Sequence, residues 1–236
     1  MAGYRVRRGK ISYLSTEPDR AGQERGRERF HMSFAPGGRR TVSAVCEIDD
    51  SPDVLRHIVL TYDAKWRPVE ALVRIDVAGS PMGSGWIDVQ PHRVTLEGRN
   101  SRTGRIGAMI EPVAPVQFLG CDPIVSDGWH LSNFDLSRPG EDQVTDGVLS
   151  SADNRGGTGP TIWTLRTGLR FHGRERLTVP AGTFDALHFE YLFPPHQMFE
   201  YHPPYHIWST ADGDYVALRS EQEGRRYDLV ELEDGW

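Results

Sequence analysis

The densest chemistry in the chain is the stretch FPPHQMFEYHPPYHIWS, residues 193–209, which carries three histidines, two tyrosines, a tryptophan and four prolines. Imidazole titrates near neutrality, and a phenol or carboxyl in an apolar cavity is shifted toward a useful range. His202, His206 and Tyr205 are therefore the first candidates for proton transfer. His196, Met198, Phe199, Tyr201 and Trp208 would supply rings and soft surface to bury a ligand. His202 and His206 have the four-residue spacing of a helical metal pair, but Pro203 and Pro204 lie between them and exclude a helix there. In extended chain that spacing spans roughly 13 Å, too far for one ion. With no cysteine or aspartate cluster nearby, the expectation is neither metal nor cofactor.

Two further segments add candidates. In DALHFEYLF, residues 185–193, Leu187, Phe189, Tyr191 and Phe193 share one face of a strand and His188 and Glu190 the other. A strand lining a cavity would aim Glu190 at a substrate as a second catalytic group, with His188 beside it as a binding residue. As metal ligands the two need a third from elsewhere. In CDPIVSDGWHLSNFD, residues 121–135, Asp127 could orient His130 for catalysis with Trp129 as a binding ring, or could simply cap a turn. A G-x-S-x-G elbow, a phosphate loop and a dinucleotide fingerprint after a strand are all missing, which argues against serine hydrolases, kinases and nicotinamide enzymes.

Strands must position these groups, because period-two alternation dominates the chain. Val69, Ala71, Val73, Ile75 and Val77 alternate with polar residues, as do Val42, Ala44, Cys46 and Ile48. Further strand patterns cover 4–14, 27–34, 54–62, 85–89, 93–97, 161–170, 205–210, 215–220 and 226–232. Glycine-bearing turns separate them at hairpin distances, so about ten strands pair antiparallel in a meander. The only helical candidates are 115–119 and a turn around Trp129, and residues 137–160 read as a long polar excursion. The predicted architecture is all-β: one domain over 1–236, an open or half-closed barrel around an apolar cavity.

Bulk properties narrow the partners. A net charge of −6 gives no general attraction to nucleic acid, and the arginines between Arg20 and Arg29 alternate with acids, which reads as a solvated face. No apolar run approaches the ~20 residues of a membrane-spanning helix. No secretory signal opens the sequence, and Cys46 and Cys121 are too few for a disulfide framework. The expectation is a cytoplasmic protein whose partner is a hydrophobic small molecule, with no nucleic acid, no membrane insertion and room for a homodimer.

The last third, LTVPAGTFDALHFEY followed by IWSTADGDYVALRSE and GRRYDLVEL, resembles the C-terminal meander of proteins built like the LolA/LolB lipoprotein carriers, and most nearly an uncharacterised branch of that superfamily. The matching residues are 180–185, Trp208, Gly213 and 229–232. The resemblance implies an open barrel around an apolar cavity and names no catalytic residue. Two functions follow as expectations. One is a cofactor-independent isomerase, lyase or hydrolase acting on a hydrophobic, aromatic or polycyclic molecule through His/Tyr acid–base chemistry. The other is a carrier or sensor of a hydrophobic ligand without chemistry. A further alternative is a metal-dependent barrel enzyme using His188, Glu190 and a loop histidine.

Overall fold

The computed structural model describes residues 3–121, 123–153, 155–194 and 202–235. Among the described residues fifteen strands form one sheet. Eight run from the N-terminus: β1 (Arg5–Ser15), β2 (Glu24–Phe34), β3 (Arg40–Ile48), β4 (Val54–Tyr62), β5 (Pro68–Val77), β6 (Ser80–Gln90), β7 (Arg93–Asn100) and β8 (Gly104–Ile110). After β9 (Phe118–Gly120), helix α1 (Ile124–His130) and a 3-10 turn (Leu131–Asn133) come β10 (Gln143–Leu149), β11 (Trp163–Val179), β12 (Gly182–Leu192), β13 (Tyr205–Thr210), β14 (Ala217–Gln222) and β15 (Arg225–Asp234). The spatial order is β8 down to β1, then β15 down to β9. Both ends of the chain therefore meet at the middle of the sheet, where β1 and β15 pair antiparallel from Arg7↔Asp234 to Ser15↔Arg225. The edges, β8 and β9, do not pair with each other, so the barrel stays open.

All pairs are antiparallel except β9 with β10. That one parallel pair needs a crossover, which α1 and the 3-10 turn supply. The crossover places α1 inside the curve of the sheet, with Val125, Trp129 and Leu131 no more than 1% exposed. Trp129 meets Tyr62 and Trp66 edge-on at 5.3 and 5.8 Å.

One charged group fixes the helix. On β2 the inward register is Gly26, Glu28, Phe30 and Met32, so a carboxyl points into the core, 0% exposed. Glu28 accepts hydrogen bonds from the backbone N–H of Ile124 (2.7 Å) and Val125 (3.1 Å), the Tyr13 hydroxyl (2.9 Å) and the Cys46 thiol (3.6 Å). These two amides open α1 and have no partner within the helix. Burial pushes the Glu28 carboxyl above its usual range, while those amides, Tyr13 and the nearby Arg56 guanidinium pull the other way. Every contact is a donor, so the carboxylate is the form the site fits. At the opposite side Gly128 lets the helix touch the turn before β14: a Cβ there would lie 2.0 Å from the Tyr215 carbonyl oxygen. The helix is wedged between Glu28 and Tyr215.

The structure departs from the sequence expectation in four places. No helix forms over 115–119: residues 115–117 are irregular and Phe118–Gly120 is β9, where Phe118 and Leu119 are buried in the sheet and the Leu119 amide donates to the Tyr62 hydroxyl at 3.1 Å. The polar excursion at 137–160 contains β10, held between β9 and β11. Its inward positions include Thr145 and Gly147 because Phe118 occupies the space a larger residue would need; a Cβ on Gly147 would lie 2.3 Å from that ring. Beyond the strand expected over 93–97, β7 continues to Asn100, and a short turn leads into β8, a strand the pattern did not include. Finally, the face from Arg20 to Arg29 is not wholly solvated, since Glu28 is in the core.

Replacing Glu28 with alanine leaves two helix amides unpaired and Arg56 without its carboxylate, an expected loss of about 3–5 kcal/mol in urea denaturation. Glu28→Gln keeps the shape but turns an amide donor toward donors, costing about 1–3 kcal/mol. An exposed acid such as Glu97, replaced by alanine, stays within about 0.5 kcal/mol.

Candidate functional site

A cavity of about 150 Å³ opens inside the sheet beside α1. Its apolar wall comes from Phe118, Trp163, Leu165, Tyr191 and Tyr227, and its polar groups include Asp127, His130, Arg155 and Arg225. The segment after β10 lies across it: the Arg155 guanidinium donates to the backbone carbonyls of Asp50 (2.6 Å) and Pro52. The acids of the lining are occupied. Asp50 pairs with Arg25, and Asp153 accepts the backbone amides of Arg155 (2.7 Å) and Gly157 (3.1 Å). Arg155 and Arg225 have no carboxylate partner among the described residues.

Four of the lining residues form a hydrogen-bonded chain. Tyr205 donates its hydroxyl to Asp127 Oδ2 at 2.8 Å, and Tyr191 donates to the Asp127 carbonyl at 3.0 Å. The Tyr191 hydroxyl is also 3.1 Å from His130 Nδ1, which joins the imidazole to the chain. Burial lowers His130 from 6.5 to about 4. Burial, then the Asp127 charge, lifts Tyr191 and Tyr205 well above 10. His202, at the mouth with its ring 4.0 Å from that of Phe193, is also lowered, by burial first. Near pH 7 these imidazoles and phenols are uncharged hydrogen-bonding groups.

The candidates read from the sequence separate onto two faces. Tyr205, His130 and His202 line the cavity. Tyr205, Ile207 and Ser209 form the buried face of β13, so His206 and Trp208 stand on the outer face, and His188 and Glu190 do the same on β12. Trp129 is a fully buried core ring and does not line the cavity. His196, Met198, Phe199 and Tyr201 lie outside the described residues.

Sequence reading missed the arginines of the cavity and His172. Arg56 was available from periodicity, since it shares the inward register of Val54, Ile58 and Leu60 on β4. Outside, the His188 ring is sandwiched between His172 (4.6 Å) and Trp208 (4.1 Å), and Trp208 donates to Glu175 at 2.5 Å. Burial and the neighbouring His172 and His206 lower His188 to about 4.

No protein-family model matches the sequence, and no curated protein matches it. Among solved structures, it is similar to a beta-barrel-like protein of domain of unknown function DUF1849 from Brucella abortus, with a TM-score of 0.59 at 8% identity over 98% of each chain. A DUF1089 family protein from Pseudomonas aeruginosa gives a TM-score of 0.46 at 9% identity over 81% of this chain and 87% of that one. The first likeness shows an all-β, barrel-like fold. Among the described residues no helix is long and apolar enough to cross a membrane.

The depressed His130 makes a pH prediction. Between 6.5 and about 4 the unfolded chain binds a proton at this position that the folded chain refuses. The contribution is complete above 6.5 and lost as pH falls toward 4, a loss of about 3 kcal/mol at the acid end. In denaturation curves at successive pH values, His130→Gln should show a visibly flatter decline over that window than the unsubstituted protein.

Proposed function

We propose that the protein binds a small amphipathic molecule in the barrel cavity, an apolar body of about one ring bearing an anionic group, as a carrier or sensor. The observation that carries this reading is the pairing of an aromatic wall with two lining arginines, Arg155 and Arg225, that no carboxylate among the described residues neutralises. Ligand sites combine apolar surface with a few convergent polar groups, and guanidinium matches a carboxylate or phosphate in two-point geometry. A cavity near 150 Å³ is the size that accepts a benzene-sized molecule, so a fused ring system would have to protrude through the mouth. The likeness of the last third to the LolA/LolB-like carriers, which hold apolar ligands in a half-open barrel, supports the same reading.

Acid–base catalysis is less well supported. The inward-facing His130, Tyr191 and Tyr205 are all displaced from neutrality in the direction that keeps them uncharged. His206 and Glu190 face away from the cavity. The Tyr205–Asp127 pair is what a catalytic account would rest on.

Isothermal titration with single-ring aromatic carboxylates such as benzoate and phenylacetate tests the proposal. Saturable binding is expected, weakened about tenfold or more by Arg155→Ala or Arg225→Ala. Leu149→Trp, which fills the cavity, should abolish it while costing about 1–3 kcal/mol of stability. Absence of binding across the panel, or binding untouched by Leu149→Trp, would refute the assignment. Turnover of a bound compound that disappears in Tyr205→Phe would favour the enzyme instead.

A further inference from the structure

We propose a second site, on the outer wall of the barrel: a divalent transition-metal site of the zinc class, held by His172, His188 and His206 and supported by Glu190. It owes nothing to the cavity, since it occupies the opposite face of β12 and β13.

The three imidazoles come from three adjacent strands, β11, β12 and β13. Pairing of β11 with β12 steps from Phe171↔Phe189 to Gly173↔His188, which leaves His172 as the extra residue of a β-bulge. Two residues of β11 then oppose His188, and one of them, Gly173, has no side chain to crowd it. Bulges re-aim side chains in this way. On the other side His188 is opposite Trp208 and Glu190 is opposite His206, so His188 and His206 are diagonal neighbours on one face.

Their ring nitrogens converge. His188 Nε2 and His206 Nδ1 are 3.1 Å apart, and one ligand atom from each of the three histidines lies within 4.8 Å of the other two. Nitrogens around tetrahedral zinc, at about 2.0–2.1 Å from the metal, are about 3.3 Å from one another. One edge of the triangle is already near that length, and side-chain rotation at the more exposed His172 closes the rest. Glu190 Oε2 lies 3.0 Å from His172 Nε2 and 3.4 Å from Arg170 Nη1, which steadies the carboxylate beside the triad. Carboxylates in contact with ligand imidazoles are a regular feature of such centres. Stacking on Trp208 alone would be served equally by phenylalanine and would not bring ring nitrogens together. Three imidazoles select zinc, nickel, cobalt or copper over magnesium and calcium. Three protein ligands also leave a fourth position open to water or a substrate atom.

The test uses the full chain, free of any affinity tag and stripped with a chelator. Titration with Zn²⁺ should give one saturable site, and Co²⁺ a visible spectrum of tetrahedral type, while Mg²⁺ and Ca²⁺ do neither. His172→Gln, His188→Gln and His206→Gln should each weaken Zn²⁺ about tenfold or more, and Glu190→Gln about 10–100-fold. Leu149→Trp, inside the cavity, should change nothing. A reading without substitutions comes from NMR, where Co²⁺ should broaden the ring signals of His172, His188 and His206 before those of His130 and His202. No saturable Zn²⁺ binding by about 100 μM, affinity unaltered in all three histidine variants, or broadening that begins elsewhere would each overturn the proposal.

Discussion

The interaction on which the rest of the molecule depends is the clamp of Glu28 on the first turn of α1. A single carboxyl at the centre of β2 joins a strand near the N-terminus to a helix about a hundred residues later, through Ile124 and Val125. A buried charge of this kind is costly unless its partners converge on it, and here two amides, a phenol, a thiol and a neighbouring guanidinium do so. The consequence reaches the cavity. With its first turn tied to β2 and Gly128 pressed against Tyr215, α1 presents Asp127 to Tyr205 and His130 to Tyr191. The polar side of the cavity is thus a product of the same clamp that fills the barrel.

The second organising constraint is the two-residue period of the strands. It turns His188 and His206 outward on β12 and β13, whereas the inward His130 is carried by α1 and His202 by the segment ahead of β13. Inward, His130 and His202 are dehydrated and bonded to a phenol or a carbonyl. Outward, His172, His188 and His206 meet one another, two carboxylates and an indole. A ligand pocket and a metal site can therefore share β12 and β13 without sharing a residue.

Much of the sheet was legible in the sequence because half-buried strands leave an alternating pattern. β4 and β13 begin and end at the expected residues, and the turn between β2 and β3 carries Gly38 at positive φ, although the turn between β4 and β5 has no glycine and puts Trp66 there instead. β10 was hidden because two of its inward positions, Thr145 and Gly147, are polar or small, the space at Gly147 being taken by Phe118, a residue from a different strand. The helix over 115–119 was misread for the same kind of reason, since pairing with β10 decides the conformation there and no local pattern reports it. Tyr205, His130 and His202 were found as chemistry-bearing groups, yet the split from His206 and Glu190 was also written in the period and was not applied to residues 205–210. Glu28 and Arg56 share their registers with Phe30 and Ile58, so a charged residue in an apolar register was the available signal. His172 had no such signal, because a bulge is set by pairing between strands.

The central claim is that the hollow beside α1 is a binding site for a small anion with an apolar body. The most direct measurement is two-dimensional ¹H–¹⁵N NMR during titration with benzoate, following backbone amides and arginine Nε–H groups together. Shifts centred on Arg155, Arg225, Gly120 and Tyr205, with the amides of the outer-facing His188 and Trp208 moving least, are the predicted result. A spectrum that does not move, or one whose changes gather on the outer wall, would contradict it.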